Sequence, residues 1–423
     1  MAAAQTMDHQ HPAETGQPMP GMHDHEAETP SFLDSILHHS SSGTSAEPDS
    51  SPSHMLMTSK GKWMLMFHAV AFLNDVQQSG PRGFDKFFST NWFMPMAQHP
   101  LGPGQFTVRT MLSLEPATVT DRRYPELFQV GETAHGNPIV DGQHPHDFVM
   151  ELAALYDLKL GENALLSFYA APVGDPAMGP TAYPHRASAS EDPMAALGHH
   201  LQDSTHIAND VLTAGFAYKK VRLEASGFHG REPNENRWNI DAGRIDSWSA
   251  RLTVNPAANW SFQYSLAWLT SPEALQPDED LHRMTASVSY NRPLKDGNWA
   301  TTLLWGRNRT VGSGQVLNGY LGESTVKFGR NAAWTRIENV DRTNELSLGE
   351  NPEPPGFHEQ FLARVQAYSF GYDRDIGHIP YLSIAPGAQV TFYSKPTSLT
   401  PVYGDHPIGV LLFLRIRPSE HAH

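Results

Sequence analysis

Two histidine-rich stretches contain the residue types that bind transition metals. The first is His144-Pro145-His146-Asp147, and the second runs from His199 to His206. Neutral imidazoles and carboxylates are competent ligands for zinc and copper, and two histidines at i and i+2 of an extended chain share one face. The candidate metal ligands in and between these stretches are His144, His146, Asp147, His185, His199, His200, Asp203 and His206. The alternative is that they hydrogen-bond to one another and hold their loops folded inward.

A second set of candidate ligands lies near the N-terminus. Seven of the 23 histidines and eight of the 15 methionines fall within residues 1–66. Thioethers suit Cu(I), whereas imidazoles suit Cu(II), Zn(II) and Ni(II). The candidates are Met7, His9, His11, Met19, Met22, His23 and His25. We therefore expect either a tether that collects metal ions, with copper the favoured ion, or a solvated tail. No cofactor is certain from the sequence, and copper and zinc are the metals that these ligands favour.

The stretch from His146 to Val173 shows which kind of element must position these ligands. Every even position from 148 to 160 is apolar, whereas the odd positions are mixed and partly charged. Because the side chains of a strand alternate between two faces, this pattern predicts a strand with one apolar side. Gly161-Glu162-Asn163 and a second apolar arm predict a hairpin. A helix would scatter the apolar positions around its axis.

The same unit recurs to the C-terminus and predicts sixteen strands. After the first connection, short turns alternate with long loops, and the loops 116–146 and 174–206 carry the histidines. Short turns on one rim and long loops on the other, over an even strand count, are typical of an antiparallel transmembrane β-barrel. The predicted strands are 61–76, 83–97, 105–115, 147–160, 164–173, 207–219, 221–230, 245–254, 259–270, 282–292, 299–308, 316–328, 332–341, 361–374, 379–393 and 407–417.

Composition narrows the classes of protein and partner. Thirty Lys and Arg against 45 Asp and Glu give a formal net charge of −15, which argues against binding nucleic acid. The absence of cysteine excludes disulfides and thiolate sites. No run of 18 apolar residues predicts a transmembrane helix, and a mean hydropathy of −0.43 still allows a barrel. The N-terminal residues lack the features of a signal peptide, so the chain is either already processed, which we favour, or not exported.

The apolar faces of the predicted strands can face either lipid or a dry core. Sixteen strands close into a barrel too wide to be filled by its own side chains, so its interior is expected to be wet. Trp260 and Trp268 would lie about 20 Å apart in height, close to the ~25 Å apolar band that aromatic girdles flank. We therefore predict an all-β outer-membrane barrel at residues 59–418, followed by a tail at 419–423. The alternative is a soluble β-sandwich.

Residues 1–58 differ in composition from the predicted barrel. They are rich in Ser, Pro, His, Met and acidic residues and contain few large aliphatic side chains. Such a segment cannot bury enough apolar surface to fold by itself, so we predict a disordered Met/His-rich leader. One short exception, residues 32–37, could form an amphipathic turn that docks elsewhere.

Charged residues are predicted to line the inside of the barrel. By the phase of the alternation, the inward-facing ones are Arg222, Glu224, Arg251, Glu323, Lys327, Arg336, Glu338 and Arg364. Rings of opposed charge set the selectivity of water-filled pores. These residues can equally pair with one another across strands and stiffen the wall. The mixture of signs indicates no preference for anions or cations.

Over about residues 60–417 the chain resembles the porin-type outer-membrane β-barrels of Gram-negative bacteria. The resemblance rests on the strand count, the alternation, the aromatic girdle and the loop asymmetry. It implies a location in the bacterial outer membrane, contact with outer-membrane lipid and passage of small solutes or metal ions. It also allows a homo-oligomer, because porins are often trimers.

The N-terminal segment is similar in style to the Met/His-rich leaders of the outer-membrane copper-resistance B proteins. The matching pieces are Met7-Asp8-His9-Gln10-His11, Met19-Pro20-Gly21-Met22-His23-Asp24-His25 and His54-Met55-Leu56-Met57. This similarity implies a role for the leader in copper handling.

The function that these patterns predict is a porin-like channel for small solutes, linked to transition-metal handling. One alternative is an outer-membrane metal-binding or resistance barrel without an open pore, and another is a soluble β-sandwich that binds metal. The sequence contains no G-x-S-x-G elbow, P-loop or H-E-x-x-H motif. The only nucleophile near a base on the predicted mouth is Ser204, two residues from His206, so we do not expect an enzyme.

Overall fold

The computed structural model describes residues 30–203, 208–349, 351–379 and 381–419. The strands in this part of the chain are β1 Met55–Lys60, β2 Trp63–Gln78, β3 Lys86–Leu101, β4 Gly104–Leu112, β5 Tyr124–Ala134, β6 Asn137–Gln143, β7 Val149–Lys159, β8 Ala164–Gly174, β9 Ala208–Tyr218, β10 Val221–His229, β11 Ser247–Ala257, β12 Trp260–Leu269, β13 Leu281–Leu294, β14 Gly297–Thr310, β15 Val316–Phe328, β16 Asn331–Thr343, β17 Phe361–Arg374, β18 Gly377–Ile379, β19 Leu382–Ser394 and β20 Ile408–Pro418.

Sixteen of these strands form one closed antiparallel barrel. They are β2 to β4, β7 to β17, β19 and β20, and each pairs with the next. The ring closes because β20 pairs with β2, with Ile416 opposite Ala71. Each barrel strand overlaps one of the sixteen predicted strands, so the predicted fold class is confirmed. Short turns join the strands at one rim and long loops at the other, as the sequence predicted.

The outer surface of the barrel is apolar and the inner surface is polar. On β10, Leu223 is 60% exposed whereas the next residue, Glu224, is 2% exposed. Phe262 on β12 and Leu412 on β20 are likewise exposed, and the residues beside them in sequence are buried. An apolar outer face alternating with a polar inner face is the pattern of a barrel that spans lipid. The soluble β-sandwich alternative is therefore wrong.

The helices in the described residues are short. They are α1 Phe32–His38, α2 Glu115–Thr118, α3 His199–Gln202 and α4 Thr400–Tyr403, with 3-10 helices at Thr120–Arg122, Asn344–Ser347 and Thr397–Leu399. None of the helices in that part of the chain is both long and apolar enough to cross a membrane.

Residues 30–58 differ from the predicted disordered leader. The Ser31 hydroxyl accepts a hydrogen bond from the Asp34 backbone N–H and caps α1. The apolar face of α1, including Phe32 and Ile36, packs against Leu165 on the inner face of β8. Residues 55–60 then form β1, which pairs with the first part of β2. The segment is ordered because the barrel supplies the apolar surface that the segment itself lacks. Residues 1–29 lie outside the described residues.

Two segments cross the inside of the barrel. The first is the N-terminal segment, residues 30–54, and the second is the described part of the β8–β9 loop, residues 175–203, which we call the lumen loop. Nearly every residue of the lumen loop is buried. It contacts β4 through His185 and β14 through Ser188, and these two strands lie eight positions apart in the sixteen-stranded ring. The lumen loop therefore bridges opposite walls.

A third insertion covers the long-loop side of the lumen. The strands β5 and β6 form a hairpin within the 116–146 loop. Phe128 and Val140 from this hairpin pack with Leu201 of the lumen loop and with Val365 of β17. The sequence predicted only a long loop here, because neither strand of the hairpin shows a regular alternation.

Candidate functional site

Three of the predicted metal ligands meet where the β6–β7 connection touches the lumen loop. His144 follows β6, whereas His199 and His200 belong to α3. One potential ligand atom from each of the three lies within 4.8 Å of the other two. His144 and His199 are buried and His200 is half-buried. We call these three histidines the mouth cluster.

Neighbouring groups orient the imidazoles of the mouth cluster. Nδ1 of His144 lies 2.9 Å from the carbonyl oxygen of Pro145 and donates a hydrogen bond to it. Nε2 of His199 lies 3.0 Å from the side-chain oxygen of Gln143, and its Nδ1 is 3.9 Å from an Asp203 carboxylate oxygen. Metal-binding histidines are commonly oriented in this way, with the nitrogen that does not bind the metal held by an oxygen.

Glu132 supplies a carboxylate that the sequence analysis did not predict. Its Oε1 lies 2.8 Å from Nε2 of His144, and its other oxygen accepts from Arg237. Burial alone would raise the pKa of Glu132, but Arg237 and His144 outweigh it and hold the pKa well below its usual value. Burial also lowers the pKa of His200 to about 3, and the opposing effect of Glu132 is smaller. The deprotonated carboxylate of Glu132 and the neutral imidazole of His200 are the forms of these two ligands that metal binding requires.

Two of the predicted ligands in the first stretch are engaged elsewhere. Nδ1 of His146 lies 3.0 Å from Glu115, which begins α2. Burial would lower the pKa of His146, but Glu115 outweighs it and raises the pKa above its usual value. Asp147 pairs with Arg237 at 3.3 Å, and burial raises the pKa of this carboxyl to about 6. Both side chains therefore anchor the loop and do not belong to the mouth cluster.

The remaining predicted ligands are also separate from the mouth cluster or only border it. Asp203 pairs with Arg186 at 3.3 Å, besides its contact with His199. His185 lies against Trp92, with its Nε2 3.4 Å from the sulfur of Met111. The other candidates lie outside the described residues, namely His206, Met7, His9, His11, Met19, Met22, His23 and His25, and so does Ser204.

Inner-wall charges on β10 and β11 hold the N-terminal segment. Arg222 donates to the carbonyl oxygen of Thr44 at 2.7 Å, and Arg251 donates to the Thr44 hydroxyl at 2.9 Å. Glu224 lies between the two arginines, 3.2 Å from Arg222 and 2.9 Å from Arg251. All three charged side chains are buried, so they clamp the segment against the wall of the barrel.

A second group of inner-wall charges holds the lumen loop. Glu323 of β15 accepts from Arg186 at 2.5 Å and from Arg336 of β16 at 3.1 Å. Arg336 also contacts Asp192 at 2.9 Å, and Glu338 accepts from the backbone N–H of Gly198 at 3.0 Å. These pairs link the loop to two adjacent strands.

Glu191 of the lumen loop joins a third set of wall charges. It contacts Arg415 and Arg417 of β20, each at 2.7 Å, and forms an ion pair with Lys327 of β15. Burial would raise the pKa of Glu191, but the cations outweigh it and hold the pKa well below its usual value. Glu191 was not predictable from strand alternation, because it lies in a loop and not on a strand.

The prediction that Arg364 faces the lumen is wrong. Arg364 lies on the outer face near the loop rim, where it pairs with Asp341 at 2.6 Å and lies over the ring of Tyr320. Its neighbours Ala363 and Val365 face inward and are buried. The alternation was assigned the wrong way round, because the lumen is dry at this point. There the β5–β6 hairpin packs against the small apolar side chains of β17.

The fold is similar to that of solved outer-membrane porins. An anion-selective porin from Comamonas acidovorans superposes with a TM-score of 0.52 at 10% identity, over 84% of this chain and 99% of the porin. OprB from Pseudomonas putida also superposes with a TM-score of 0.52 at 10% identity, over 85% of this chain and 99% of OprB. The sequence matches no protein-family model and no curated protein sequence. The chain thus has a porin-type β-barrel fold, and its apolar belt is that of a barrel that spans an outer membrane.

Proposed function

We propose that this protein is a porin-like outer-membrane channel for small solutes that is gated by its lumen loop. The observation that carries the proposal is the bridge that residues 175–203 form between opposite walls of a sixteen-stranded ring. A ring of this size leaves an aqueous path unless something else occupies it. The occupant is held by apolar packing, as at Leu201, and by many polar contacts and ion pairs, and water and ions can replace the polar contacts when the loop moves.

The charges that hold the loop would then become the lining of the open channel. Release of the lumen loop would expose Glu323, Arg336 and Lys327 on one wall. Release of the N-terminal segment would expose the Arg222, Glu224 and Arg251 group on the other. Charges of both signs would remain on these walls, so the proposal includes no selectivity for anions or cations.

A reversible crosslink tests this gate directly. The hydroxyl of Ser188 on the lumen loop lies 2.8 Å from that of Thr302 on β14, and the natural chain contains no cysteine. The double variant S188C/T302C should form a disulfide that fixes the loop to the wall. In a planar bilayer we expect no conductance from the oxidised form and channel openings after reduction, as in the natural protein. Equal conductance in the oxidised and reduced forms would show that the loop is not the gate.

A second function, the handling of transition metals, is favoured by the mouth cluster. Three imidazoles beside the carboxylate of Glu132 form a ligand set suited to Zn(II) or Cu(II). We propose that an ion bound there ties the β6–β7 connection to the lumen loop and stabilises the closed state. The Met/His-rich segment at residues 1–29 would collect such ions. If the natural protein never conducts but binds metal, the function is that of a closed metal-binding barrel.

That proposal is tested by conductance with and without metal. Adding Zn(II) or Cu(II) should lower the open probability of the natural protein, and a chelator should restore it. The variant H199Q should conduct without responding to the metal. A natural protein whose openings are unaffected by either metal would contradict the link between the mouth cluster and the gate.

A further inference from the structure

Six buried methionines gather on one sector of the inner wall. In most of the barrel the inward-facing side chains are Ser, Thr, Asn, Gln, Arg or Glu. In the sector formed by β1 to β4, β7 and β8, the buried cluster contains Trp92, Val173 and six methionines, but no leucine or isoleucine among the described residues. The six are Met55, Met66, Met94, Met96, Met111 and Met150. The composition of this sector therefore differs both from an ordinary porin wall and from an ordinary aliphatic core.

One histidine of the wall lies among these sulfurs. His68 on β2 is directly opposite Met94 on β3 and directly opposite Met55 on β1. Directly opposed residues of antiparallel strands have their Cβ atoms about 4.5–5.5 Å apart. The imidazole of His68 is therefore flanked on both sides by a methionine.

A second histidine reaches the same place from the lumen loop. Nε2 of His185 lies 3.4 Å from the sulfur of Met111. The ring of His185 lies 5.8 Å from that of His68, measured between centroids, and Trp92 contacts both rings. Two imidazoles and at least two thioethers thus converge from the wall and from the loop that fills the lumen.

The environment of His68 indicates that an ion or small molecule binds beside its ring. Its Nδ1 is buried and has no hydrogen-bond partner among the described residues, which is uncommon for a buried polar atom. His68 and His185 also border a cavity of about 260 Å³ between the N-terminal segment and the wall. Methionine can fill irregular space in a core, but that role does not require two imidazoles with a nitrogen–sulfur contact.

We propose that His68 and His185, together with the sulfur atoms of Met94 and Met111, bind a soft monovalent metal ion of the Cu(I) class inside the lumen. Thioether sulfur selects soft cations, and imidazole nitrogen is compatible with them. The site is neutral apart from the ion, so a monovalent cation is less costly to bury there than a divalent one. This site lies apart from the mouth cluster, which offers nitrogen and oxygen ligands.

Silver(I) is the probe for a calorimetric test, because it is soft, monovalent and stable in air. The full chain in detergent and chloride-free buffer is titrated with Ag(I), alongside the double variant M94L/M111L, which keeps apolar side chains of similar size. We expect the variant to bind one equivalent less, or to bind that equivalent about tenfold or more weakly. The variant M284L is the matched control, because Met284 lies on the outer face of β13, between the buried Arg283 and Thr285. It should bind as the natural protein does.

Fluorescence separates this site from metal bound by the N-terminal residues. Trp92 lies within 4.6 Å of both imidazole rings, between centroids, whereas residues 1–29 contain no tryptophan. Ag(I) should quench part of the emission of the natural protein, and this part should be missing from W92F and from M94L/M111L. If M94L/M111L binds and quenches as the natural protein does, while only its thermal stability falls, the methionines are core filling and the proposal is wrong.

This proposal does not depend on the proposed function. Loss of Ag(I) binding in M94L/M111L supports the site whether or not the protein conducts. Unchanged Ag(I) binding in that variant overturns the site and leaves the gate and the mouth cluster untouched. The mouth variant H199Q should retain the Trp92 signal, and its loss there would show that the two sites are not separate.

Discussion

The Oε1 atom of Glu132 lies 2.8 Å from Nε2 of His144. Glu132 belongs to β5 and His144 to the connection that leads into β7, so this contact fastens the β5–β6 hairpin to the edge of the barrel. The same imidazole stands beside His199 and His200 of the lumen loop. The carboxylate–imidazole pair thus links the β5–β6 hairpin, the β6–β7 connection and the lumen loop.

Replacing His144 by alanine should weaken metal binding at the mouth. The variant loses one of three imidazoles, and we expect the affinity for Zn(II) or Cu(II) to fall at least about 10–100-fold. Isothermal titration calorimetry of the full chain with Zn(II) or Cu(II) measures this affinity. The control is H146Q, because His146 is equally buried and only two residues away but pairs with Glu115. An equal fall in both variants would show that loss of loop structure, not of a ligand, weakens binding.

The His146–Glu115 pair should make stability depend on pH. The folded-state pKa of His146 is raised above its usual value, so the pair contributes fully below the unfolded pKa of about 6.5 and is lost as the pH rises through the folded value. H146Q should therefore be less stable than the natural protein by about 2 kcal/mol at pH 5.5, and the difference should shrink at alkaline pH. The stability difference is measured as the temperature at which the band of the folded protein is replaced by that of the unfolded protein on a gel. A difference that grows with pH would contradict the charged pair.

Replacing Glu191 by glutamine should loosen the lumen loop. The variant leaves Lys327, Arg415 and Arg417 without their shared carboxylate, and breaking a buried ion pair costs about 3–5 kcal/mol. We expect more frequent openings in a planar bilayer. The control is R364Q, which breaks an ion pair on the outer face and leaves the lumen contacts intact. Openings equally frequent in E191Q and in the natural protein would show that these ion pairs do not hold the gate.

Arginine on the outer face should destabilise the barrel according to depth. Leu303 lies exposed on the outer face of β14, and L303R should destabilise the barrel folded in a bilayer by about 2–4 kcal/mol, the cost near the midplane. The matched variant L294R lies at the end of β13 beside a short turn. It should destabilise the folded barrel by only about 0–1 kcal/mol. Urea titration of folding into lipid vesicles measures both. Equal costs would contradict the proposed membrane position.

Particular strands show why so much of the barrel was predictable. Over residues 260–266 of β12 and 283–291 of β13 the apolar and polar positions alternate without interruption, because one face contacts lipid there. The prediction failed at Arg364 of β17, where the inward face is apolar as well. Alternation can only be read where the two faces meet different environments.

The sequence predicted the residue types of the candidate site, but not which of those residues come together. His144, His199 and His200 stand in conspicuous histidine stretches, yet so do His146 and His185, which the fold places elsewhere. Glu132, Glu115 and Glu191 carry no pattern in the sequence, since each is defined only by partners from other elements, such as Arg237 for Glu132 and Arg415 for Glu191.

The sequence by itself determined a sixteen-stranded membrane barrel with short turns at one rim, because contact with lipid imposes a period of two on every strand. Only the tertiary structure decided that residues 30–54 and 175–203 fill the barrel, and which histidines meet there. Those contacts join residues that are far apart in the sequence, such as His144 with His199 and Ser188 with Thr302. They depend on the closure of the ring, which brings distant strands to face one another, and no local pattern records that proximity.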